Sequence, residues 1–356
     1  MKVALLTAKP NTDGKVGNYK FWVGEKRPPN GIGFLYAVLK DAGHSVGIFD
    51  YYCGCSVNTN FADYDFVGIY TTTVCLDHLN TLFKTIKAKT IAVGGPHAML
   101  YVDTIPDSVD HICIGEGEEI IVSLVEGNCE SRIIRTTRIE DLDNLPTFPY
   151  EVFFTKYRHL YDWGFEYSSA RPVFTMNTSR GCPFNCSFCS VPKLWNRIYT
   201  SMSAERVVDE ISFLVRRFGA KGVYFREDNF TAKPNRVAEI CELLLKKNIK
   251  IEWACETRVD TVNPSLLVLM YRAGCRGLYV GVEHLSQRML DIFNKKITVD
   301  QIVKFFEVAN CLGMYTHASF ITNHPEETEQ DRKINKALLK IIHPSRIVNN
   351  VYRKDG

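Results

Sequence analysis

The first third of the chain alternates short apolar runs with amphipathic segments. Runs of five or six mainly apolar residues predict strands at 2–7, 45–49, 65–70, 89–94 and 111–115. Two of the intervening segments, 31–44 and 78–88, repeat their apolar positions at helical spacing. This alternation predicts βαβ units and a doubly wound, Rossmann-like parallel sheet.

A second alternation begins at about residue 173. Its apolar runs predict six strands, at 173–179, 222–227, 250–256, 277–283, 315–322 and 345–351. Amphipathic helical stretches separate them, and no helical pattern follows the last one. Six such repeats without a closing helix predict an open, partial (β/α)6 barrel of the TIM-like type, with its chemistry at the carboxyl ends of the strands.

The passage between the two alternations is polar and carries several prolines, as in "IEDLDNLPTFPYEVF". Such composition is typical of a connection between domains. The sequence therefore predicts an α/β protein with an N-terminal domain at 1–138, a linker at 139–172 and a barrel at 173–356.

Composition excludes several classes of protein. A 46% hydrophobic and 23% charged content is that of a globular chain, and a net charge of +3 argues against a nucleic-acid-binding surface. No apolar run reaches the ~18 residues of a membrane span, and the first residues lack the layout of a signal peptide. We therefore expect a cytoplasmic protein, whose 12 cysteines are thiols or metal ligands rather than disulfides.

The most informative motif is "RGCPFNCSFC" at 180–189, which places Cys182, Cys186 and Cys189 in a C-x3-C-x2-C spacing. Soft thiolates at such intervals suit zinc or an iron–sulfur cluster. A closed structural zinc site needs four ligands, and no second cysteine pair or histidine pair lies nearby. A [4Fe–4S] cluster held by three cysteines instead leaves one iron open to a small molecule with an amine and a carboxylate.

The motif and its surroundings resemble the radical S-adenosylmethionine (SAM) superfamily. The resemblance rests on "TSRGCPFNCSFC" and, downstream, on "FREDNF", "WACETRVD", "VGVEHLSQ" and "FITNHPEET". It implies a [4Fe–4S] cluster on the three cysteines, with SAM on the open iron. It also implies reductive cleavage of SAM to methionine and a 5′-deoxyadenosyl radical, and an external electron donor of the flavodoxin or ferredoxin type.

The same resemblance implies roles for residues at the predicted strand ends. The candidate SAM-binding residues are Phe188, Glu227, Asp228, Glu256, Arg258 and Glu283. A carboxylate of 227–228 suits the SAM ammonium, Arg258 its carboxylate and Glu283 the ribose diol. The plainer alternatives are a helix cap for 227–229, a surface ion pair for Arg258 and structural roles for His284 and His317. "TNHPEE" departs from the family's usual small residues with Asn323, His324 and Glu326.

The first domain resembles the cobalamin-binding domain of class B radical SAM enzymes. The similarity is carried by "VGGPHAML" and "VDHICIGEGEE", although the aspartate-x-histidine-x-x-glycine motif for cobalt ligation is absent. The residues expected to line a corrin are Thr71, Thr72, Thr73, Gly94, Gly95 and His97. The alternative is a domain that keeps the fold and binds no corrin.

Together these features predict a cobalamin-dependent C-methyltransferase acting on a small molecule or peptide. The open alternatives are another radical SAM transformation, such as a cyclisation or rearrangement with or without cobalamin, and a non-catalytic metal-bound module. Only "YRKDG" follows the last predicted strand, which predicts no third domain and favours a small substrate over nucleic acid. The sequence names neither the substrate nor the oligomeric state.

Overall fold

The computed structural model describes residues 1–11, 15–16, 19–20, 26–56 and 60–352. Residues 353–356 of the "YRKDG" segment therefore lie outside the described residues. The contacts divide the chain into two compact units. Unit 1 comprises Met1–Glu140 and Asn144–Asp162, and unit 2 comprises Asp141–Asp143 and Trp163–Gly356. The passage 139–172 is thus divided between the two units, and its role as a linker stays a prediction.

Unit 1 is built on a parallel sheet of six strands. These are β1 (Lys2–Thr7), β2 (Ser45–Asp50), β3 (Phe66–Tyr70), β4 (Thr90–Gly94), β5 (His111–Ile114) and β6 (Ile133–Arg135). Their order across the sheet is β2-β1-β3-β4-β5-β6, so the direction of winding reverses between β1 and β3. Ligands of such sheets bind at the carboxyl edge, at this reversal point.

Five helices lie in the described part of unit 1. They are α1 (Asn30–Asp41), α2 (Leu76–Thr85), α3 (Pro96–Leu100), α4 (Ile121–Val125) and α5 (Tyr150–Thr155). Residues 3–6 of β1 have no exposed surface, as expected of a strand covered on both faces. The predicted parallel sheet is confirmed, and β6 is an addition that the sequence analysis missed. Lys15–Val16 and Tyr19–Lys20 form a separate short antiparallel pair.

Unit 2 is built on a second parallel sheet of six strands. These are β7 (Val173–Met176), β8 (Gly222–Phe225), β9 (Glu252–Thr257), β10 (Cys275–Glu283), β11 (Tyr315–Thr322) and β12 (Arg346–Val351). Their order is β12-β11-β10-β9-β8-β7, and β7 does not pair with β12 among the described residues. The predicted open partial barrel is thus confirmed, and all its carboxyl strand ends lie at one edge.

In the described part of unit 2, seven helices connect these strands. They are α6 (Val191–Trp195), α7 (Ala204–Phe218), α8 (Pro234–Lys246), α9 (Pro264–Arg272), α10 (Gln287–Ile292), α11 (Val299–Cys311) and α12 (Glu329–Ile342). Local sequence marks their starts. Ser203 caps α7 by accepting from the Arg206 amide, and Thr298 and Thr328 open α11 and α12 with capping boxes. Among the described residues, no helix combines the length and apolar character needed to cross a bilayer.

Candidate functional site

The three predicted thiols lie on one loop that leaves the carboxyl end of β7. Ser179–Arg180 pairs with Thr200–Ser201 at the start of this loop, and α6 follows its end. The Cys189 amide donates to the Cys186 carbonyl at 3.2 Å, which turns the chain between these two ligands. Cys182, Cys186 and Cys189 all carry free thiols. We name residues 182–189 the cysteine loop.

A second segment of unit 2, residues 293–294, holds the cysteine loop through hydrogen bonds and ring packing. The Ser187 amide donates to the Phe293 carbonyl at 2.9 Å, and the Asn294 side chain donates to the Asn185 carbonyl at 2.6 Å. The Phe188 ring packs edge-on against Phe293 at 5.5 Å. These contacts anchor the loop to the rest of unit 2, and Phe188 is part of that anchor.

The thiols lie in surroundings that disfavour an isolated thiolate. Burial raises the pKa of Cys189 to about 11 and also raises the pKa of Cys182. A buried thiolate needs a nearby positive charge, which a metal or a cationic side chain can supply. Arg258 supplies one such charge, because its Nη1 lies 3.3 Å from the Cys186 Sγ.

The chemistry of the three thiols suits an iron–sulfur cluster. Within the described ranges, no group of three or more cysteine, histidine or acidic side chains is placed to hold one metal ion. Cysteine thiolates are the usual protein ligands of a [4Fe–4S] cluster, and the loop supplies three of them.

The two carboxylates that follow β8 support the start of the cysteine loop. Glu227 is buried and accepts from the amide and hydroxyl of Thr178, at 2.5 and 2.6 Å, and from the Ser179 hydroxyl. Burial raises the pKa of Glu227, and the nearby Arg236 opposes that rise. Asp228 accepts from the Gly181 amide at 3.0 Å. Their contact with the SAM ammonium stays a prediction.

The next strand end presents Glu256 and Arg258 in different settings. Glu256 lies within β9 and accepts from the Tyr224 hydroxyl at 2.5 Å. Arg258 forms a two-point ion pair with Asp260, at 2.9 Å for both hydrogen bonds, and donates to the Lys295 carbonyl at 2.6 Å. The sequence analysis had quoted Asp260 without giving it a role.

Glu283 ends β10 in a left-handed backbone conformation, with φ of +66°. Its Oε1 lies 2.8 Å from the Lys295 ammonium, and both side chains are buried. The sequence analysis missed Lys295, since "NKK" reads as a polar surface turn. The predicted ribose contact of Glu283 stays a prediction, and any ligand there would share the carboxylate with this lysine.

The histidines and the "TNHPEE" motif at the ends of the last strands contact other residues of unit 2. His284 Nδ1 accepts from the Ser286 amide at 2.9 Å, and its Nε2 lies 3.3 Å from Glu327 Oε1. Burial lowers the pKa of both His284 and His317. His324 packs against the rings of Phe293 and Tyr352, at 5.3 and 4.2 Å. These contacts fit the plainer structural interpretation.

In unit 1, the residues expected to line a corrin meet at the carboxyl ends of β3 and β4. The Thr71 amide and hydroxyl both lie 2.8 Å from the Gly94 carbonyl. Thr73 Oγ1 lies 3.2 Å from His97 Nδ1, and Thr72 donates to Cys75 Sγ at 3.1 Å. We name Thr71–Thr73 with Gly94, Gly95 and His97 the threonine–glycine rim.

Two features shape this rim. Gly95 has φ of +100°, and a Cβ there would lie 2.9 Å from the Thr71 carbonyl oxygen, so the turn requires glycine. Both nitrogens of His97 contact hydroxyls, of Thr73 at 3.2 Å and of Thr104 at 3.1 Å. Burial lowers the pKa of His97, which keeps the imidazole neutral.

Residues 176–338 match the family model described as the radical SAM superfamily. Unit 2 carries a radical SAM domain. A domain of this kind is that of an enzyme that uses a [4Fe–4S] cluster, SAM and an external reductant. The matched range contains the whole cysteine loop and the carboxyl ends of β7 to β11.

Longer similarities cover nearly the whole chain. It is 28% identical to the uncharacterized methyltransferase PH0819 of Pyrococcus horikoshii, over 93% of the chain and 76% of the relative. It is 27% identical to the anaerobic magnesium-protoporphyrin IX monomethyl ester cyclase of Rubrivivax gelatinosus, over 85% of the chain but only 60% of the relative.

A solved structure shares the fold of both units. It is OxsB, a cobalamin-dependent SAM radical enzyme with aqua-cobalamin and SAM bound, and it superposes with a TM-score of 0.73 at 20% identity. The similarity covers 95% of this chain and 51% of OxsB, so the chain spans about half the length of that protein. It shows that the combination of a Rossmann-like sheet and a partial barrel is a known architecture.

The turn at Gly181 gives a first test of how the cysteine loop is held. Gly181 has φ of +81°, and a Cβ there would lie 2.1 Å from the Ile198 carbonyl oxygen. We expect Gly181→Ala to cost ~1–2 kcal/mol from the backbone alone, with more from the clash, and to lower the iron bound per chain after reconstitution. Iron analysis and the urea unfolding midpoint measure these effects.

Gly219→Ala is the matched control, because Gly219 also has a positive φ, of +64°, with no atom within 4 Å of an added Cβ. It should cost about 1 kcal/mol and leave iron binding unchanged. Equal iron contents in the two variants would contradict a specific role for the Gly181 turn.

Proposed function

We propose that this enzyme is a cobalamin-dependent radical SAM methyltransferase that transfers a methyl group to carbon in a small molecule or peptide. The observation that carries the proposal is that one chain contains both an anchored three-cysteine loop and a threonine–glycine rim at the carboxyl edge of a parallel sheet. Each of these features suits one of the two cofactors.

The residues of unit 2 are suited to hold and shield the cluster and SAM. When bound, the cluster supplies the electron that cleaves SAM to methionine and a 5′-deoxyadenosyl radical. Cys182, Cys186 and Cys189 would hold the cluster. Asp228 follows β8 and Glu283 ends β10, at the same carboxyl edge of the sheet, where polar groups of SAM can bind. Phe188, packed on Phe293, would exclude water from one side.

The residues of unit 1 are suited to a large planar ligand. The Gly94–Gly95 turn allows a close approach of ligand to backbone, since neither residue carries a side chain. The neutral His97 is held by Thr73 and Thr104 and does not extend as a free imidazole. The rim would therefore support a corrin by contact and by hydroxyl hydrogen bonds, without a histidine ligand to cobalt.

The relatives support this proposal. PH0819 is named as a methyltransferase, and OxsB is described with cobalamin bound. A second candidate is a radical SAM cyclisation or related carbon-centred reaction, because the Rubrivivax gelatinosus relative is named as a cyclase and matches 85% of this chain. Both candidates share the cluster and SAM and differ in whether a methyl group leaves SAM.

Three further features complete the proposal. The electron donor is of the flavodoxin or ferredoxin type, and nucleic acid is not the substrate because the net charge is only +3. The enzyme works in the cytoplasm, because a chain whose 12 cysteines form no disulfide suits a reducing compartment.

A product analysis of SAM distinguishes the two candidates without knowledge of the substrate. The full chain is produced anaerobically with iron and cobalamin, and the bound iron and cobalt are counted. It is then incubated with SAM and a strong reductant, and S-adenosylhomocysteine and 5′-deoxyadenosine are measured. Methyl donation yields the first product, whereas reductive cleavage yields the second.

We expect about four irons and one cobalt per chain, together with both products. Cobalt-free protein that forms only 5′-deoxyadenosine would refute methyl transfer through cobalamin and favour the second candidate. Protein that binds zinc instead of iron would refute both.

A further inference from the structure

We propose that Arg258 is a positioning residue for the cluster, which raises the cluster's reduction potential by donating a hydrogen bond to the thiolate of Cys186. The proposal uses the cluster implied by the superfamily and does not depend on methyl transfer or cobalamin. It assigns Arg258 to the cluster ligand instead of the SAM carboxylate, the role that the resemblance implies.

The first argument is the geometry of the guanidinium. Its Nη1 lies 3.3 Å from Cys186 Sγ, its Nε and Nη2 each bond to Asp260 at 2.9 Å, and Nη2 also donates to the Lys295 carbonyl at 2.6 Å. These bonds use four of the five N–H groups of an arginine. The group is therefore fixed in direction, with its Nη1 directed at the sulfur.

The second argument is burial. Arg258 is only 5% exposed, and its guanidinium lies 3.8 Å from the centroid of the Phe184 ring, which belongs to the cysteine loop. The ring covers the cation in a cation–π contact and keeps water away. In such surroundings a charge acts on its neighbours more strongly than it would in water.

The third argument is the anchoring of the carbonyl that Arg258 contacts. The same stretch, 293–295, accepts from the cysteine loop through Phe293 and donates to it through Asn294. Arg258 thus links the sulfur to the segment that holds the loop. This places the cation at a fixed position relative to Cys186, which a mobile surface arginine would not maintain.

The electrostatic consequence has a definite sign. Reduction of the cluster adds one electron, supplied by the external reductant, and so adds one negative charge next to the thiolates. A cationic N–H donor to a ligand sulfur stabilises that added charge, and hydrogen bonds to the sulfurs are known determinants of cluster potential. Asp260 partly neutralises Arg258, so it should act in the opposite direction.

An electron paramagnetic resonance-monitored redox titration of the cluster tests the proposal. The reconstituted full chain is used without SAM and without cobalamin, so the outcome is independent of methyl transfer. We expect Arg258→Gln to make the cluster at least tenfold harder to reduce, a shift of about 59 mV to lower potential for a one-electron couple. We expect Asp260→Asn to shift the potential upward.

Arg216→Gln, on the exposed face of α7, is the matched control and should leave the potential unchanged. Four irons per chain with the wild-type potential in Arg258→Gln would overturn the proposal. If Arg258→Gln binds less iron, the cluster potentials of Arg258→Lys and Asp260→Asn test the proposal in its place. A wild-type potential in both variants would overturn the proposal. A lowered potential in Arg258→Lys together with a raised potential in Asp260→Asn would support it.

Discussion

Replacing Cys186 by alanine should abolish cluster assembly and, with it, essentially all cleavage of SAM. Cys186 lies in the middle of the cysteine loop, and its sulfur is the one that Arg258 contacts. With only Cys182 and Cys189 left, two irons of the cluster would lack a protein ligand. Iron and sulfide per chain, together with 5′-deoxyadenosine released under strong reductant, measure the effect.

Cys311→Ala is the control for loss of a thiol as such. Cys311 is exposed at the end of α11, far along the chain from the cysteine loop. It should retain the iron content and the SAM cleavage of the unmodified chain. Cleavage that survives in Cys186→Ala at the level of Cys311→Ala would contradict the assignment of the three-cysteine site.

Replacing Glu227 by alanine should strongly destabilise unit 2. The buried carboxylate accepts three hydrogen bonds from residues 178–179 and lies near the buried Arg236. Its removal leaves buried donors without their acceptor and takes a negative charge away from the neighbourhood of Arg236, which costs about 3 kcal/mol or more. We expect a lower urea midpoint and less bound iron, since the start of the cysteine loop loses its support.

Fluorescence of the fully buried Trp253 reports unfolding of unit 2. Glu205→Ala is the control, because Glu205 lies exposed in the first turn of α7 and should cost only ~0.3–1 kcal/mol. Glu227→Gln keeps the side-chain shape, so its loss of stability should lie between those of Glu227→Ala and Glu205→Ala. A similarly small loss of stability in Glu227→Ala and Glu205→Ala would show that the buried carboxylate contributes little to holding the loop.

The two sheets illustrate how far periodicity reaches. The strands of both units correspond to apolar runs in the sequence, because parallel strands are buried on both faces. β6 was missed for the corresponding reason, since Ile133 and Arg135 are exposed and a three-residue strand leaves no such run. The amphipathic pattern likewise predicted α1 and α2 but not the short α3 and α4.

The candidate site shows which contacts a local sequence pattern can predict and which it cannot. The cysteine spacing is a local feature, so three ligands could be assigned from ten residues. The partners of the other candidate residues are not local: Glu227 is bonded to residues about fifty positions earlier, and Arg258 to Cys186, 72 positions earlier. No periodicity or spacing within one segment carries that information.

By itself, the sequence determined the two parallel sheets, the edge at which the candidate residues lie and the thiolate donor set. These follow from burial of apolar runs and from ligand chemistry, both of which act over a few neighbouring residues. Only the tertiary structure decided which charges meet at that edge. Lys295 pairs with Glu283, and Arg258 contacts Cys186, because separate strand ends and turns converge there and buried charges must find partners.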